Sequence, residues 1–283
     1  MLRISADKKF AAEKAYAIDV LLNELLGVPY ALDFPEQQEH YRLEFPNGNI
    51  LIIEDHFFGK QNAGNYRTAA NIPETPVTLP HPFEPGAEIT GIYGKPLFQF
   101  GENSARCGID LIASAFFMLT RWEEYVRPER DAYGRFPAQF SLAWRAGFLD
   151  RPVVNEYGEL LGQLLRRLGW SAPFKQRRFR LQPSHDVDHP MLWQSGSSRL
   201  RTLAGSLFRP GGFREAGWWL RKHVLAQQDP FDTFDLLMDI SEKNSLVSHF
   251  NFLAAQPGSP DYFYSPEQPF IQNLFKKIQS RGH

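Results

Sequence analysis

The sequence predicts an α/β protein in two parts, an N-terminal α+β domain followed by a βαβα unit. Three observations carry this. Between residues 11 and 168, apolar stripes of helical period stand beside a hairpin signal. After residue 178 the order becomes strand, insertion, helix, strand, helix, which calls for a parallel sheet. Between them lies the basic stretch 175–180, and we place the boundary just before it, near residues 171–176, giving domains 1–174 and 175–283. A chain of 283 residues has room for two domains, and 43% hydrophobic residues can fill their cores.

Taken in order, residues 11–26 predict a helix, with Ile18, Leu21, Leu22, Leu25 and Leu26 on one stripe; Gly27 and Pro29 stop it. Residues 41–45 and 50–53 predict strands joined by Pro46-Asn47-Gly48-Asn49, a hairpin signature. Residues 59–86, rich in Pro, Asn, Gly and Thr, predict a long irregular connection. Residues 89–100 offer one or two short strands. Residues 109–126 predict one helix, buried through Ile109, Ile112, Phe116, Leu119 and Trp122. The mixed charges and aromatics that follow, from Glu123 and Glu124 to Asp131 and Arg135, suit either a ligand site or arginine–carboxylate contacts locking a loop onto that helix. Residues 153–168 predict another helix, closed by Gly169.

Composition excludes several function classes. A net charge of -1 gives no global pull toward nucleic acid. Cys107 is the one cysteine, so neither an internal disulfide nor a Cys-rich zinc site can form. Residues 1–9 carry charges in place of the apolar run of a signal peptide. The longest apolar stretch, 109–120, is broken by Asp110 and is too short to span a bilayer. A cytoplasmic location is expected.

The chemistry concentrates at Ser184-His185-Asp186-Val187-Asp188-His189-Pro190, where a predicted strand from Arg178 runs into two carboxylates and two imidazoles. Side chains alternate along a strand, so Asp186 and Asp188 share one face, about 7 Å apart, and His185, Val187 and His189 the other. Such a pair can hold a divalent cation or divide into a ligand and a general base. A surface turn would also accommodate it without any function. Pro190 ends the strand. Residues 191–226 then read as a basic–aromatic insertion, with Arg199, Arg201, Arg209, Arg214, Arg221 and Lys222 among Trp193, Phe208, Phe213, Trp218 and Trp219. Either it covers the domain edge with a solvated basic face, or residues 199–222 contact an anionic membrane or glycan. Asp232 or Thr233 caps a helix carried by Phe234, Leu237 and Met238; residues 246–253 form a strand and residues 266–280 a helix.

These residues resemble the polysaccharide deacetylases, the NodB-homology or family 4 carbohydrate esterases. Ser184-His185-Asp186-Val187-Asp188 resembles their first motif, commonly Thr-Phe-Asp-Asp-Gly, with Asp-Val-Asp here in place of adjacent aspartates. Asp229-Pro230-Phe231-Asp232-Thr233-Phe234, Ser248-His249-Phe250-Asn251-Phe252-Leu253 and Arg281-Gly282-His283 follow in the family's order. The N-terminal part is similar to an uncharacterised domain that precedes deacetylase-like domains in bacterial polysaccharide gene clusters. It shares Phe116-Phe117-Met118-Leu119-Thr120-Arg121-Trp122-Glu123-Glu124-Tyr125, Gly134-Arg135-Phe136-Pro137 and Asp150-Arg151-Pro152-Val153-Val154-Asn155-Glu156-Tyr157.

The resemblance implies that residues 175–283 are the first part of a (β/α) deacetylase-type barrel, incomplete at the C-terminus. It also implies metal-dependent hydrolysis of an acetyl amide or ester on a sugar, in bacterial surface-polysaccharide biosynthesis. Asp188 would join two histidines on Zn²⁺ or another divalent metal, and Asp186 would act as general base. His185 and His189 would support that shell from behind, and the ligating histidines would lie beyond His283. As given, the chain is then an inactive, truncated fragment that does not retain the metal and leaves an apolar sheet face uncovered. Two rivals remain. A metal-dependent glycosyltransferase could use Asp-x-Asp on a nucleotide diphosphate, although no glycine-rich strand-to-helix turn precedes the motif. A non-catalytic module of polysaccharide assembly could use a degenerate barrel for binding.

Overall fold

The computed structural model describes residues 1–61, 65–176, 178–193, 196–208, 212–221, 229–259 and 263–283. The chain divides into two compact units, Met1–Arg177 and Arg178–His283, each with its own apolar core. Among the described residues no helix is long and apolar enough to cross a membrane.

The first unit opens with β1 (Leu2–Ser5), α1 (Ala11–Asp19), a π-helical continuation (Val20–Leu25) and β2 (Tyr30–Asp33). The predicted hairpin is β3 (Tyr41–Glu44) and β4 (Ile50–Ile53), paired antiparallel with Leu43 opposite Leu51. Then come β5 (Val77–Pro80), β6 (Glu88–Gly91), β7 (Gly94–Phe100) and β8 (Ser104–Ile109). Helices α2 (Leu111–Thr120), α3 (Trp122–Val126), α4 (Leu142–Arg145) and α5 (Val153–Arg167) complete it.

Six strands form one mixed sheet in the order β2-β1-β3-β4-β8-β7. β1, β2, β4 and β8 run one way, β3 and β7 the other. Period-two alternation decides its faces. Leu2, Ile4, Tyr41, Leu43, Leu51, Ile53, Ala105, Cys107 and Ile109 are buried in the core with Ile18, Leu21, Ile112, Leu161 and Leu164 of the helical layer. The opposite face carries Arg3, Arg42 and Arg106. Among the described residues the unit is therefore two-layered, with helices on one side of the sheet.

The structure adds strands β1 and β2 to the elements predicted for the first unit and corrects the assignment of residues 59–86 and 109–126. Residues 59–86 are not wholly irregular, because β5 pairs antiparallel with β6. Residues 109–126 are not one helix. Ile109 closes β8, whose Ala105, Cys107 and Ile109 alternate inward; Asp110 caps α2 by accepting the Ala113 N–H at 2.9 Å; and Arg121, at φ 53°, separates α2 from α3. Beyond that break, buried Glu123 accepts the Leu142 N–H at 2.9 Å and the Arg127 Nε–H at 3.1 Å. That is the loop-locking role, with no ligand needed.

The second unit holds β9 (Ser184–Val187), α6 (Gly196–Leu207), α7 (Gly212–Trp219), α8 (Phe234–Lys243), β10 (His249–Phe252) and α9 (Pro269–Ser280). β9 and β10 pair in parallel, Asn251 beside Asp186. Val187, Phe234, Met238, Leu274 and Ile278 make its small core, with Phe250 and Phe252 packed against it. The described residues form no closed barrel. The remaining face of this two-stranded sheet presents exposed Ser184, Asp186, His249 and Asn251. It is polar, contrary to the apolar face expected, because the alternation sends His185, Val187, Phe250 and Phe252 to the other side. Neither residue proposed as the α8 cap bonds the helix through its side chain: Thr233 is the N-cap without such a bond. Asp229 instead accepts the N–H groups of Leu192, Trp193 and Phe231 at 2.8–2.9 Å.

Gly94 starts β7 at φ 134°, and a Cβ there would lie 2.5 Å from the Gly108 carbonyl oxygen. Strain and overlap together should make Gly94→Ala cost about 3 kcal/mol. Urea unfolding followed by tryptophan fluorescence measures it; an unchanged midpoint would refute the close approach of β7 and β8.

Candidate functional site

The carboxylates singled out in the sequence stand at the C-terminal end of β9. Asp186 and Asp188 are exposed on either side of buried Val187. Asp186 accepts an N–H from Asn251 Nδ2 at 2.9 Å across the strand pair. Asp188 lies just past the strand. Burial, and after it the Asp188 charge, push the Tyr264 phenol upward, although the Leu253 N–H it accepts works the other way. The same hydroxyl donates to the Val187 carbonyl at 2.8 Å, so Tyr264 pins the rim on which Asp188 sits.

The two histidines are placed differently. His185 Nε2 lies 3.2 Å from Ser248 Oγ, and its ring lies 4.9 Å from that of Phe250, on the core side. His189 is exposed with its ring 4.0 Å from that of Phe263. His283 is buried: its Nδ1 accepts the Ser248 N–H at 2.9 Å, and its Nε2 lies 3.4 Å from Glu242. Arg281 binds Glu242, Asp239 and Asp235 of α8 at 2.7, 2.5 and 3.3 Å. The Arg-Gly-His end of the chain thus ties α9 and β10 to α8. Among the described residues no group of three His, Cys, Asp or Glu side chains could hold a metal ion. The described donors therefore do not complete the metal centre that the deacetylase resemblance implies. In the insertion, Leu200, Phe208, Phe213 and Trp218 are exposed beside exposed Arg201, Arg214 and Arg221. Arg209 and Lys222 lie outside the described residues.

A second cluster, not anticipated from the sequence, lies in the first unit. There β4 runs out into Glu54-Asp55-His56 and β8 into Asp110, neighbouring parallel strands ending side by side. Asp55 turns inward. Its carboxylate lies 3.1 Å from Lys14 Nζ, both side chains almost wholly buried, and accepts the Gly59 N–H at 2.9 Å. Lys14 also donates to the Asp7 carbonyl at 3.2 Å. Asp110, fully buried, accepts the N–H groups of His56, Phe57 and Ala113 at 2.8, 3.2 and 2.9 Å. Burial and the neighbouring Asp55 charge push the Asp110 carboxyl upward against those three donors.

Glu54 turns to the other face. Arg106 Nε, Lys95 Nζ and His56 Nε2 lie 2.5, 2.9 and 2.7 Å from its oxygens. Burial alone would raise its pKa, but hydrogen bonds from Lys95, Arg106 and His56 outweigh that and hold it at about 2. Arg106 also reaches His40 Nε2 at 2.8 Å, leaving His40 Nδ1 buried and unpartnered among the described residues. Around this cluster opens a cleft of about 780 Å³. The signal for it was present: the apolar run Ile50 to Ile53 meets Glu54-Asp55-His56 just as a strand meets Asp186-Val187-Asp188. What local pattern could not supply were Lys14, Lys95 and Arg106, all more than 35 residues away. Cys107 is no nucleophile here, since burial pushes its thiol up to about 12.

Glu54 carries a pH prediction. Its folded value of about 2 lies below the ordinary 4.5, so its stabilisation is complete above pH 4.5 and fades as pH falls toward 2. The stability gap between wild type and Glu54→Gln should shrink over that window by on the order of 2 kcal/mol, allowing for solvent screening of the half-exposed Lys95 and Arg106. Urea unfolding at the two ends of the window checks this; a gap independent of pH would contradict the three-donor arrangement.

In comparison with known proteins, the model of a family of unknown function, DUF7033, matches residues 2–169. No curated protein and no solved structure matches the chain.

Proposed function

The chain belongs to DUF7033, a family of unknown function matched over residues 2–169, and for the unit that follows we propose a (β/α) deacetylase-type domain removing acetyl groups from a sugar. The observation that supports this reading is the pair of exposed carboxylates at the C-terminal end of a parallel strand, the edge at which α/β folds place their chemistry. Asp186, held by Asn251, is the general base that takes a proton from the attacking water. Asp188, one residue past Val187 on the same rim, is the first ligand of a divalent cation. Its remaining ligands are not among the described residues, so no step is assigned to the cation. His185, bonded to Ser248 beneath the strands, braces the rim and stays out of the reaction. The reading places the work in the cytoplasm, on a glycan intermediate of bacterial surface-polysaccharide assembly.

The test is acetate release from N-acetylated oligosaccharides with added Zn²⁺. In a protein that supplies two further histidines, Asp186→Asn should lower turnover by roughly 10²–10⁴-fold while zinc binding persists. Asp188→Ala should abolish zinc binding in the same protein. The chain of 283 residues should release no acetate; tight zinc binding and acetate release by that chain itself would overturn the reading.

The exposed Leu200, Phe208, Phe213 and Trp218, interleaved with Arg201, Arg214 and Arg221, favour a second role for α6 and α7, peripheral contact with an anionic membrane. The protein should then sediment with phosphatidylglycerol vesicles at low salt and less with phosphatidylcholine or at high salt, and Phe213→Ser should weaken it. Equal recovery with both lipids, or none with either, would remove this role.

A further inference from the structure

The cleft of the first unit has no assigned ligand, and its charges indicate which kind it would take. It opens at the edge where β1, β2 and β4 end and β3 and β7 begin, the place at which open α/β sheets bind small molecules. Its volume of about 780 Å³ falls in the range of small-molecule sites.

The acids that reach it are largely engaged already. Of the five acids that line it, Glu54 has three donors, Asp55 has Lys14 and backbone N–H groups, Glu36 is paired with Lys8, Asp7 accepts the Lys9 N–H, and Glu39 lies 3.7 Å from His40 Nε2. Several cations retain free capacity. Arg106 spends Nε on Glu54 and Nη2 on His40, and its Nη1 makes no hydrogen bond among the described residues. Lys95 offers one contact to Glu54 and is half-exposed. Lys9 and Lys60 line the same cleft, with no ion pair among the described residues. Glu54 fixes Arg106 and Lys95 from behind, so their spare donors are pre-oriented rather than floppy, which lowers the entropy lost on binding. Gln37, Gln38 and Glu39 line the same cleft, side chains suited to hydroxyl groups.

We propose that this cleft binds an anionic sugar, a hexose bearing a carboxylate or a phosphate. The anion sits against Arg106, Lys95 and Lys60, and the hydroxyls face Gln37, Gln38 and Glu39. This is independent of the carboxylate rim of the second unit.

Titration calorimetry on the full chain at low salt tests it, with glucuronate, glucose 1-phosphate, glucose and inorganic phosphate as probes. At least one charged sugar should bind, more weakly as salt rises, while glucose should not. Binding of glucuronate alone identifies the carboxylate as the recognised anion, of glucose 1-phosphate alone the phosphate, and of both an anion site tolerant of either. Arg106 ties buried Glu54 to His40, so the decisive variant is the double replacement Lys60→Gln with Lys95→Gln, both exposed, which leaves Glu54 its Arg106 and His56 donors. It should keep the wild-type circular dichroism and lose affinity about tenfold or more. Four results would overturn the proposal: no binding of either charged sugar, equal binding of glucose, inorganic phosphate binding as tightly as glucose 1-phosphate, or an unaltered affinity in the folded double variant.

Discussion

The first unit depends on the buried contact of Lys14 with Asp55. Both side chains are almost wholly out of water, and Asp110 lies fully buried close by. Desolvating such charges costs several kcal/mol each and is offset only if every lone pair and proton is used. Here they are used. Asp55 takes backbone N–H groups as well as the ammonium, Asp110 takes three backbone N–H groups, and Lys14 also reaches the Asp7 carbonyl. The ends of β1, β4 and β8, the turn into residues 56–59 and the first turn of α2 are thereby fixed together. Removing one partner would leave an uncompensated buried charge, which is far more destabilising than the pair is stabilising.

That constraint also creates the cleft. Strand alternation sends Ile53 and Asp55 inward and Glu54 outward, so one three-residue strand end serves both sides of the sheet. Inside, Asp55 anchors the fold. Outside, Glu54 collects Lys95 and Arg106 on the face that no helix covers. Among the described residues no second helical layer covers that face, which is left polar and open above the ionic lock.

The second unit follows a different economy. Its core is small, and much of its order comes from polar ties: Arg281 on three acids of α8, His283 and His185 on Ser248, and the Asp229 carboxylate on Leu192 and Trp193. The His283 tie accounts for an imidazole in an Arg-Gly-His motif that stays away from Asp186 and Asp188. It is spent on the backbone of Ser248, just before β10. Asp186 shares a polar strand face with Ser184, His249 and Asn251, and Asp188 lies just past its end.

Local periodicity in the sequence determined much of this. The β3–β4 hairpin follows from Asn-Gly between apolar runs, α5 from its leucine stripe, and the β9–β10 unit from strands alternating with helices. It also placed Asp186 near a strand end, although that strand starts at Ser184 rather than Arg178 and stops at Val187, before Asp188 and Pro190. The tertiary structure decided what those patterns cannot contain. Short strands such as β1, β2 and β8 are recognisable only once they pair, and Ile109 joins β8 rather than a helix because Gly94 of β7 lies opposite it. Lys14, Lys95 and Arg106 meet Asp55 and Glu54 through the sheet order β2-β1-β3-β4-β8-β7. A sequence shows which side of each strand is wet or dry. Which distant charge will stand beside it is fixed only when the strands are arranged side by side.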